Sequence, residues 1–370
     1  ALRIAETALG PDHPEVASRL QNLGSLLHDT GRFAEAEGHY RRAVRIDAAA
    51  PEPIRSDAAS RLGSLGVLLH DTGRLAESEP LLRRALEIDE AALGPDHPNV
   101  ARDLDQLASL LKSTDRLAQA EEIQRRALRI EEAARGHGHP QVAQKANDLG
   151  LILLEAGRLP EAETLLERAR LANEAAHGPD HPDVAANLNN LGQIFQKTGR
   201  PAEAEAAFRR ALAIDEKGLG PDHASVAVIL GNLASVLQET GRLAEAEPPL
   251  RRALGIDRTL FGPDDTRVGD HFSNLARLAQ SAGRPAEAES HFRESLRVAE
   301  AANGPDHCRV AGRLRSLARF LEETGRPAEA EPLRRGALAI DEAAHGPEHP
   351  TVSADLAELA HLPNSLGRAA

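Results

Sequence analysis

Gly199-Arg200-Pro201-Ala202-Glu203-Ala204-Glu205 recurs letter for letter at Gly283–Glu289 and Gly325–Glu331. The copies start 84 and then 42 residues apart, and 42 governs the chain. Stepping by 42 from Arg32 meets Arg at nine positions through Arg368, preceded by Gly at each except Asp115. The same step from Leu23 meets Leu through Leu359, from Gly24 meets only Gly or Ala, and from Glu37 meets Glu through Glu331. A register held without insertion over the whole chain marks a repeat architecture, in which each unit buries its apolar face against its neighbours.

Within a unit the pattern is helical. Leu188, Leu191, Gly192 and Phe195 recur at spacings of three and four, which is one face of a helix. Gly199 then supplies a left-handed stop, and Asp tolerates the same region at 115. Pro201, Pro285 and Pro327 sit at the first position of the next helix, where a missing N–H costs nothing. That second helix presents Ala204, Phe208, Ala211, Leu212 and Ile214 inward and ends near Lys217. Glu205 and Arg209 are four apart, acid first, and the pairing recurs in seven of eight units, Glu163–Glu167 excepted. Gly220-Pro221-Asp222 breaks the helix, and Asp222 or His223 caps the next one. The heptapeptide is therefore a joint between helices, repeated because every unit needs it. Pro80, Pro248, Pro249 and Pro332 lie about six residues into second helices and predict a bend there.

Composition narrows the function classes. The chain has 370 residues, 57 acids against 44 bases, and a formal net charge of -13. That balance argues against nucleic acid or an anionic membrane as partner. Aromatics make up only 2%, so the core must rest on Ala, Leu, Ile and Val at close helix contacts. No apolar run approaches the ~20 residues that span a bilayer. Cys308 is the only cysteine, which excludes a disulfide framework and a thiolate cluster and fits a reducing, cytoplasmic setting.

The small Gly24 column, the Gly31 turn and the Ala36 and Ala43 columns resemble the tetratricopeptide repeat signature, with a 42-residue unit in place of the usual ~34. With Asn189-Asn190-Leu191-Gly192 and the Ala-Glu-Ala-Glu that follows each turn, the chain resembles the kinesin light chain subtype over nearly its entire length. The resemblance implies an all-α, tetratricopeptide-type superhelical solenoid of antiparallel helix pairs, with the first helices lining a concave groove. The expected organisation is one array over 1–370. Residues 1–10 form the tail of a preceding second helix. Eight 42-residue units run in register to about 350, and 350–370 are the first helix of a truncated last unit. Such a segment reads as part of a longer protein, with possible weak end-to-end self-association. Polar or charged substitutions (Arg170, Gln124 and Arg334 where other units are apolar) predict poorer packing, and the second junction, Ala50–Arg55, loses the Gly-Pro-Asp-His-Pro turn.

Candidate chemistry is sparse. His13, His97, His139, His181, His223, His307 and His349 fall on successive loops, one unit or a multiple of it apart. They are too regular to converge on one ion, and capping suits them better. Gly136-His137-Gly138-His139 is the densest exception. Cys308 beside His307 lacks the third group of a nucleophilic site and reads as a replacement for the loop Pro. No catalytic residue, cofactor or metal is expected.

The remaining candidate is the groove. Asn147, Asn189, Asn190, Gln193, Gln196, Asn232, Gln238, Asn274 and Gln280 form a stripe of side-chain amides on its columns. An amide donates and accepts, so it can hold an extended peptide backbone or brace neighbouring helices. The resemblance implies the first role. Arg277, Arg315 and Arg319, with Arg313 nearby, offer a pocket for an acidic segment, or pair with Asp270, Glu322 and Glu323. The expected function is a non-catalytic scaffold that holds a partner peptide or segment in the groove. The alternative is a sensor or regulatory region of a larger signalling protein whose catalytic module lies outside the segment. Enzyme activity within the chain and homotypic assembly are further rivals.

Overall fold

The structure is a computed structural model that describes residues 2–49 and 55–366. It contains eighteen α-helices and no strands among the described residues. The altered junction at Ala50–Ile54 and the last turn arginine, Arg368, lie outside them.

The chain divides into two compact units, Ala1–Pro179 and Asp180–Ala370. The first holds α1 (Leu2–Leu9), α2 (Pro14–Asp29), α3 (Phe33–Ala49), α4 (Arg55–Asp71), α5 (Leu75–Leu93), α6 (Pro98–Ser113), α7 (Leu117–Arg135), α8 (Pro140–Glu155) and α9 (Leu159–His177). The second holds α10 (Pro182–Lys197), α11 (Pro201–Gly218), α12 (Ala224–Glu239), α13 (Leu243–Phe261), α14 (Thr266–Ser281), α15 (Pro285–Asn303), α16 (Cys308–Glu323), α17 (Pro327–His345) and α18 (Pro350–Leu366). In each unit a first helix pairs with the second helix that follows, and each second helix packs on the next first helix. The result is the expected stack of helical hairpins.

Four hairpins close as a knob in a hole. Tyr40, Leu82, Leu166 and Phe208 project from second helices onto Gly24, Gly66, Gly150 and Gly192. A Cβ on Gly192 would lie 2.5 Å from Phe208 Cε1, and one on Gly24 2.6 Å from Tyr40 Cε1. Close approach, not backbone freedom, requires Gly in these four helices. At the turns the requirement is the opposite one: Gly199 has φ +72 with open space around it, and Asp115 takes φ 59 in the same role.

The turn arginine does more than follow a glycine. Arg74 bonds Glu77 at 2.7 Å within its own helix start and Glu37 of the preceding repeat, also at 2.7 Å. Arg116–Glu79, Arg158–Glu121, Arg242–Glu205, Arg284–Glu247 and Arg326–Glu289 repeat the inter-repeat bridge at 2.5–2.8 Å. The same glutamates make the expected i,i+4 pairs, such as Glu205–Arg209 at 2.8 Å. Each therefore sits between two guanidiniums. The Arg116 and Arg83 hydrogen bonds hold Glu79 down at about 2, against the desolvation that opposes them.

A second arginine column ties the loops. Arg42 donates to Glu6 at 2.6 Å and to the Pro11 carbonyl at 3.0 Å, and Arg126 to Glu90 at 2.6 Å and the Pro95 carbonyl at 2.9 Å. Arg252 does the same with Glu216 and the Pro221 carbonyl. The loop histidines cap: the Nδ1 of each of the seven accepts the backbone N–H two residues on, at 3.1–3.3 Å. An accepting Nδ1 places the proton of the neutral ring on Nε2. Where His is replaced, Asp265 caps with its carboxylate at 2.9 Å.

Two irregularities of the repeat are accommodated. The helical run continues unbroken through Pro80, Pro248, Pro249 and Pro332. The polar substitutions do not leave polar groups stranded. Gln124 is buried and donates to Asp105 at 2.8 Å, Arg334 is buried between Glu322 and Glu358, and Arg170 pairs with Glu167 and Glu174.

Two substitutions test this packing. Gly192→Ala gains ~1 kcal/mol of helix propensity but forces apart a buried contact, an overpacking cost of about 1–3 kcal/mol. The thermal midpoint should fall, whereas the solvent-facing Gly38→Ala in α3 should raise it. Gly336 stands where Arg42, Arg126 and Arg252 stand in their repeats, beside Glu300 and Pro305 and a cavity of about 360 Å³. Gly336→Arg should restore the loop tie and stabilise by about 1–2 kcal/mol. A melt showing no gain would mean that the tie contributes nothing.

Candidate functional site

Neighbouring first helices run side by side, so a residue on one meets the residue one repeat plus one position later. The spacing of 43 recurs in the side-chain bonds. In the first unit His28 meets Asp71 at 2.9 Å, His70 meets Ser113 at 2.8 Å, and Gln21 donates to Ser64 at 3.3 Å. In the second, Asn232 donates to Asn189 at 2.8 Å, Gln196 to Glu239 at 2.5 Å, Gln238 to Ser281 at 3.3 Å, and Gln280 to Glu323. These amides brace adjacent helices, and each still has unused donors or acceptors.

The other stripe members make different contacts. Asn147, in the first unit, donates weakly to Asp148 at 3.4 Å. Asn190 is half-buried beside Asn189. Asn274 accepts from Arg277 at 2.7 Å. Gln193 is half-buried and makes no side-chain hydrogen bond with any described residue. Gln193, Ser235, Arg277 and Arg319 form one column on α10, α12, α14 and α16, lying between the bracing columns. Arg277 and Arg319 are exposed, and neither forms an ion pair among the described residues.

Arg315 does not belong with them. It is drawn inward to the buried carboxylates of Asp341 and Asp355. Its column faces the neighbouring helix, where two desolvated acids outcompete solvent for the guanidinium. Arg313 pairs with Asp270, Glu322 with Arg334, and Glu323 with Gln280. Cys308 is exposed at the start of α16, 3.6 Å from the His307 Nδ1 that already caps the helix. No group of three metal-ligating side chains converges among the described residues.

The sequence reading missed a buried acidic column. Asp47, Asp89, Glu131, Asp215, Asp257 and Asp341 are spaced by 42 or its multiples near the ends of second helices, each directly after Ile. All but Asp47 are buried to within about 5% exposure. The recurring Ile-Asp or Ile-Glu pair was the available signal, since an acid adjoining a core position invites the question of its partner. Most find one. Asp47 takes Arg61 at 2.5 Å, Asp89 takes Arg102 at 3.3 Å, Glu131 takes Arg135 at 2.7 Å, Asp257 takes His271 at 2.9 Å, and Asp341 takes Arg315. Asp215 takes none. Burial pushes its carboxyl up, opposed by a hydrogen bond from Ser225 and by the nearby His223.

Asp215 lines a cavity of about 340 Å³ with Asn189, Asn190, Ser225, Val228 and Ile229. In the first unit a smaller cavity, about 220 Å³, is lined by Asp105, Lys112, Gln124, Gln144 and Asp148. There Lys145 pairs with Asp105 at 2.7 Å. Burial, then the charge of Asp105, pushes Asp148 up to about 6.

That shift fixes a sign. A carboxyl bound more tightly to its proton in the folded state than at the unfolded ~3.9 favours folding below that value and loses the contribution as pH rises through about 6. Asp148→Asn removes the penalty. It should match the wild type near pH 4 and exceed its stability at pH 7.5 by on the order of 1 kcal/mol, after allowance for solvent screening. Equal urea midpoints at pH 7.5 would contradict the assignment.

The repeat architecture has wide parallels. Solved structures similar to this chain include the apo form of the quorum sensor NprR from B. thuringiensis, at 12% identity and TM-score 0.67 over 88% of both chains. BtubC (BKLC) from P. vanneervenii shares 24% identity at TM-score 0.50, over 68% of this chain and 91% of its own. The nearly identical TPR-like repeats of a Podosopora anserina protein described as a kinesin light chain share 23% at TM-score 0.49, over 56% and 98%. These likenesses concern the fold. No curated protein matches the chain. A tetratricopeptide repeat model matches residues 1–49, 57–133, 141–217 and 225–301, and further models of the same repeat match 189–260 and 310–351. With matched segments over most of its length and helical hairpins in register, the chain belongs to the tetratricopeptide repeat family.

Proposed function

We propose that the chain is a non-catalytic scaffold that holds an extended partner segment along the exposed face of its first helices. Tetratricopeptide repeats generally mediate protein–protein interaction, which gives the class. The observation that carries the finer reading is the column Gln193, Ser235, Arg277 and Arg319. It runs across successive first helices: Gln193 and Arg319 make no side-chain bond among the described residues, Arg277 gives one to Asn274 and Ser235 takes one from Gln196, and bracing pairs flank the column. A peptide backbone needs such donors and acceptors at regular intervals, and unused ones on a rigid surface bind with little ordering cost. Asn189, Asn232, Gln196, Gln238 and Gln280 then serve twice, bracing the helices and lending their remaining hydrogen-bonding capacity. The unbroken 42-residue register supports treating the chain as one array. No described helix is long and apolar enough to cross a membrane.

The test separates binding from bracing. Peptides are selected from a randomised display library against the full chain, then measured on two variants. Gln193→Ala/Arg319→Ala should leave the melt unchanged and weaken the selected peptides roughly 10-fold or more. Asn189→Ala/Asn232→Ala should lower the melt as well, because it removes an inter-helix bond. Selected peptides that bind the first variant as tightly as wild type would overturn the assignment of this face.

A further inference from the structure

The cavity beside Asp215 has a template within the same chain. In the second repeat Arg61 is 1% exposed. Its guanidinium reaches Asp47 at 2.5 Å, Ser18 Oγ at 2.9 Å and Asp57 at 3.5 Å. Four periods later, 168 residues, Asp47, Ser18 and Asp57 correspond to Asp215, Ala186 and Ser225, and the arginine corresponds to Ile229. All four line the cavity. The carboxylate recurs, and the arginine position is occupied by Ile229.

The loss is not made good elsewhere. Asp215 is 3% exposed, its Oδ1 has no hydrogen-bond partner, and no basic side chain pairs with it among the described residues. An unpaired buried carboxylate is costly when ionised, and a cation brought to it recovers that cost. The approach is also suited to an arginine stem. Val228 is 52% exposed and Leu219 40% exposed, and both line the cavity. Apolar rims of this kind cover the methylenes of a long basic side chain while its head goes deeper.

We propose that this cavity accepts the guanidinium of an arginine carried by a partner segment, with Asp215 as counter-ion and the Ser225 hydroxyl as a second acceptor. A planar head with five donors matches a carboxylate beside a hydroxyl, as Arg61 already does with Asp47 and Ser18. The proposal rests on the groove reading only in taking the arginine to arrive on a segment lying along the first helices.

The experiment titrates the full chain calorimetrically with N-acetyl-arginine amide and with the citrulline counterpart, which has the same shape without the charge. The arginine derivative should bind roughly 10-fold or more tightly than citrulline, and Asp215→Asn should erase the difference. Ile229→Arg, which returns the internal cation, should abolish binding. Asp215→Asn keeps the shape of the side chain and removes a buried charge, so it provides a folded comparison even where Ile229→Arg does not. Equal binding of the two derivatives, or a preference that survives Asp215→Asn, overturns the proposal.

A hexapeptide with a single central arginine separates the sources. Affinity roughly 10-fold above that of the free amide supports a segment, since contacts along a chain add to the anchor. Equal affinity overturns the segment and leaves a free guanidinium compound as ligand. Failure of the groove reading looks different: arginine amide would still bind, while Gln193→Ala/Arg319→Ala would leave selected peptides unaffected.

Discussion

A single hairpin of two short helices cannot bury its own apolar face, and every other feature of this chain answers to that constraint. Burial must come from the next hairpin, so the contact between repeats has to recur without drift. The turn arginine supplies the lock. Arg74, Arg158, Arg242, Arg284 and Arg326 each hold a glutamate of the preceding repeat and one of their own, and Arg116, with Gln119 at the second site, keeps the bridge to the preceding repeat. Such half-exposed bridges contribute only modestly one by one. Their larger consequence is geometric: a two-pronged guanidinium between two carboxylates fixes how one second helix lies against the next. The invariance of Arg and Glu across the period follows, whereas an isolated i,i+4 pair would tolerate exchange.

Beneath that surface lock lies a second, buried set of contacts. The carboxylates at the ends of the second helices are placed where desolvation works against them. Replacing a buried ion pair with well-packed apolar residues is often neutral or stabilising, so stability alone does not explain the column. The partners differ between repeats: Arg61 and His271 reach their acids from one and the same position of the repeat, whereas Arg102, Arg135 and Arg315 reach theirs from three others. A hairpin built around one pairing does not accept its neighbour's. In an array of near-identical units this gives each interface its own identity, and the same variability leaves a site open wherever the partner is lost.

The sequence revealed the fold because its determinants are local or strictly periodic. Gly199 and Pro201 mark a joint through backbone geometry alone, and the Leu23 column declares the core. His223 as a cap was legible for the same reason, since its partner is the N–H of Ser225, two residues away. What stayed hidden depends on side chains one repeat apart. The spacing of 43 that joins Asn189 to Asn232 is one more than the period, and only the packing of adjacent first helices produces it. Arg315 was misplaced for a related reason. Its column was read as facing outward, but the acids that capture it come from α17 and α18. Gln124 and Arg334 showed as polar in an apolar column, and nothing in the period identified Asp105, Glu322 or Glu358 as their partners.

The placement of variation then separates architecture from recognition. Columns that lock one repeat to the next hardly change: the turn Arg, its Glu and the small residue beneath each knob. The column through Gln193 and Arg319 changes freely, from Ser25 and Val67 to Leu151 and Arg277, although its neighbours on both sides brace helices. Some members still serve the fold, Ser25 accepting from Tyr40, Ser235 from Gln196 and Val67 packing on the core, whereas Gln193 and the exposed Arg319 are left over, carried on helices at a regular interval. Asp215 is the complementary case, a buried acid of the repeat that has no cationic partner among the described residues. The proposed recognition draws on both kinds of position: a varied surface row and a buried carboxylate without a counter-ion.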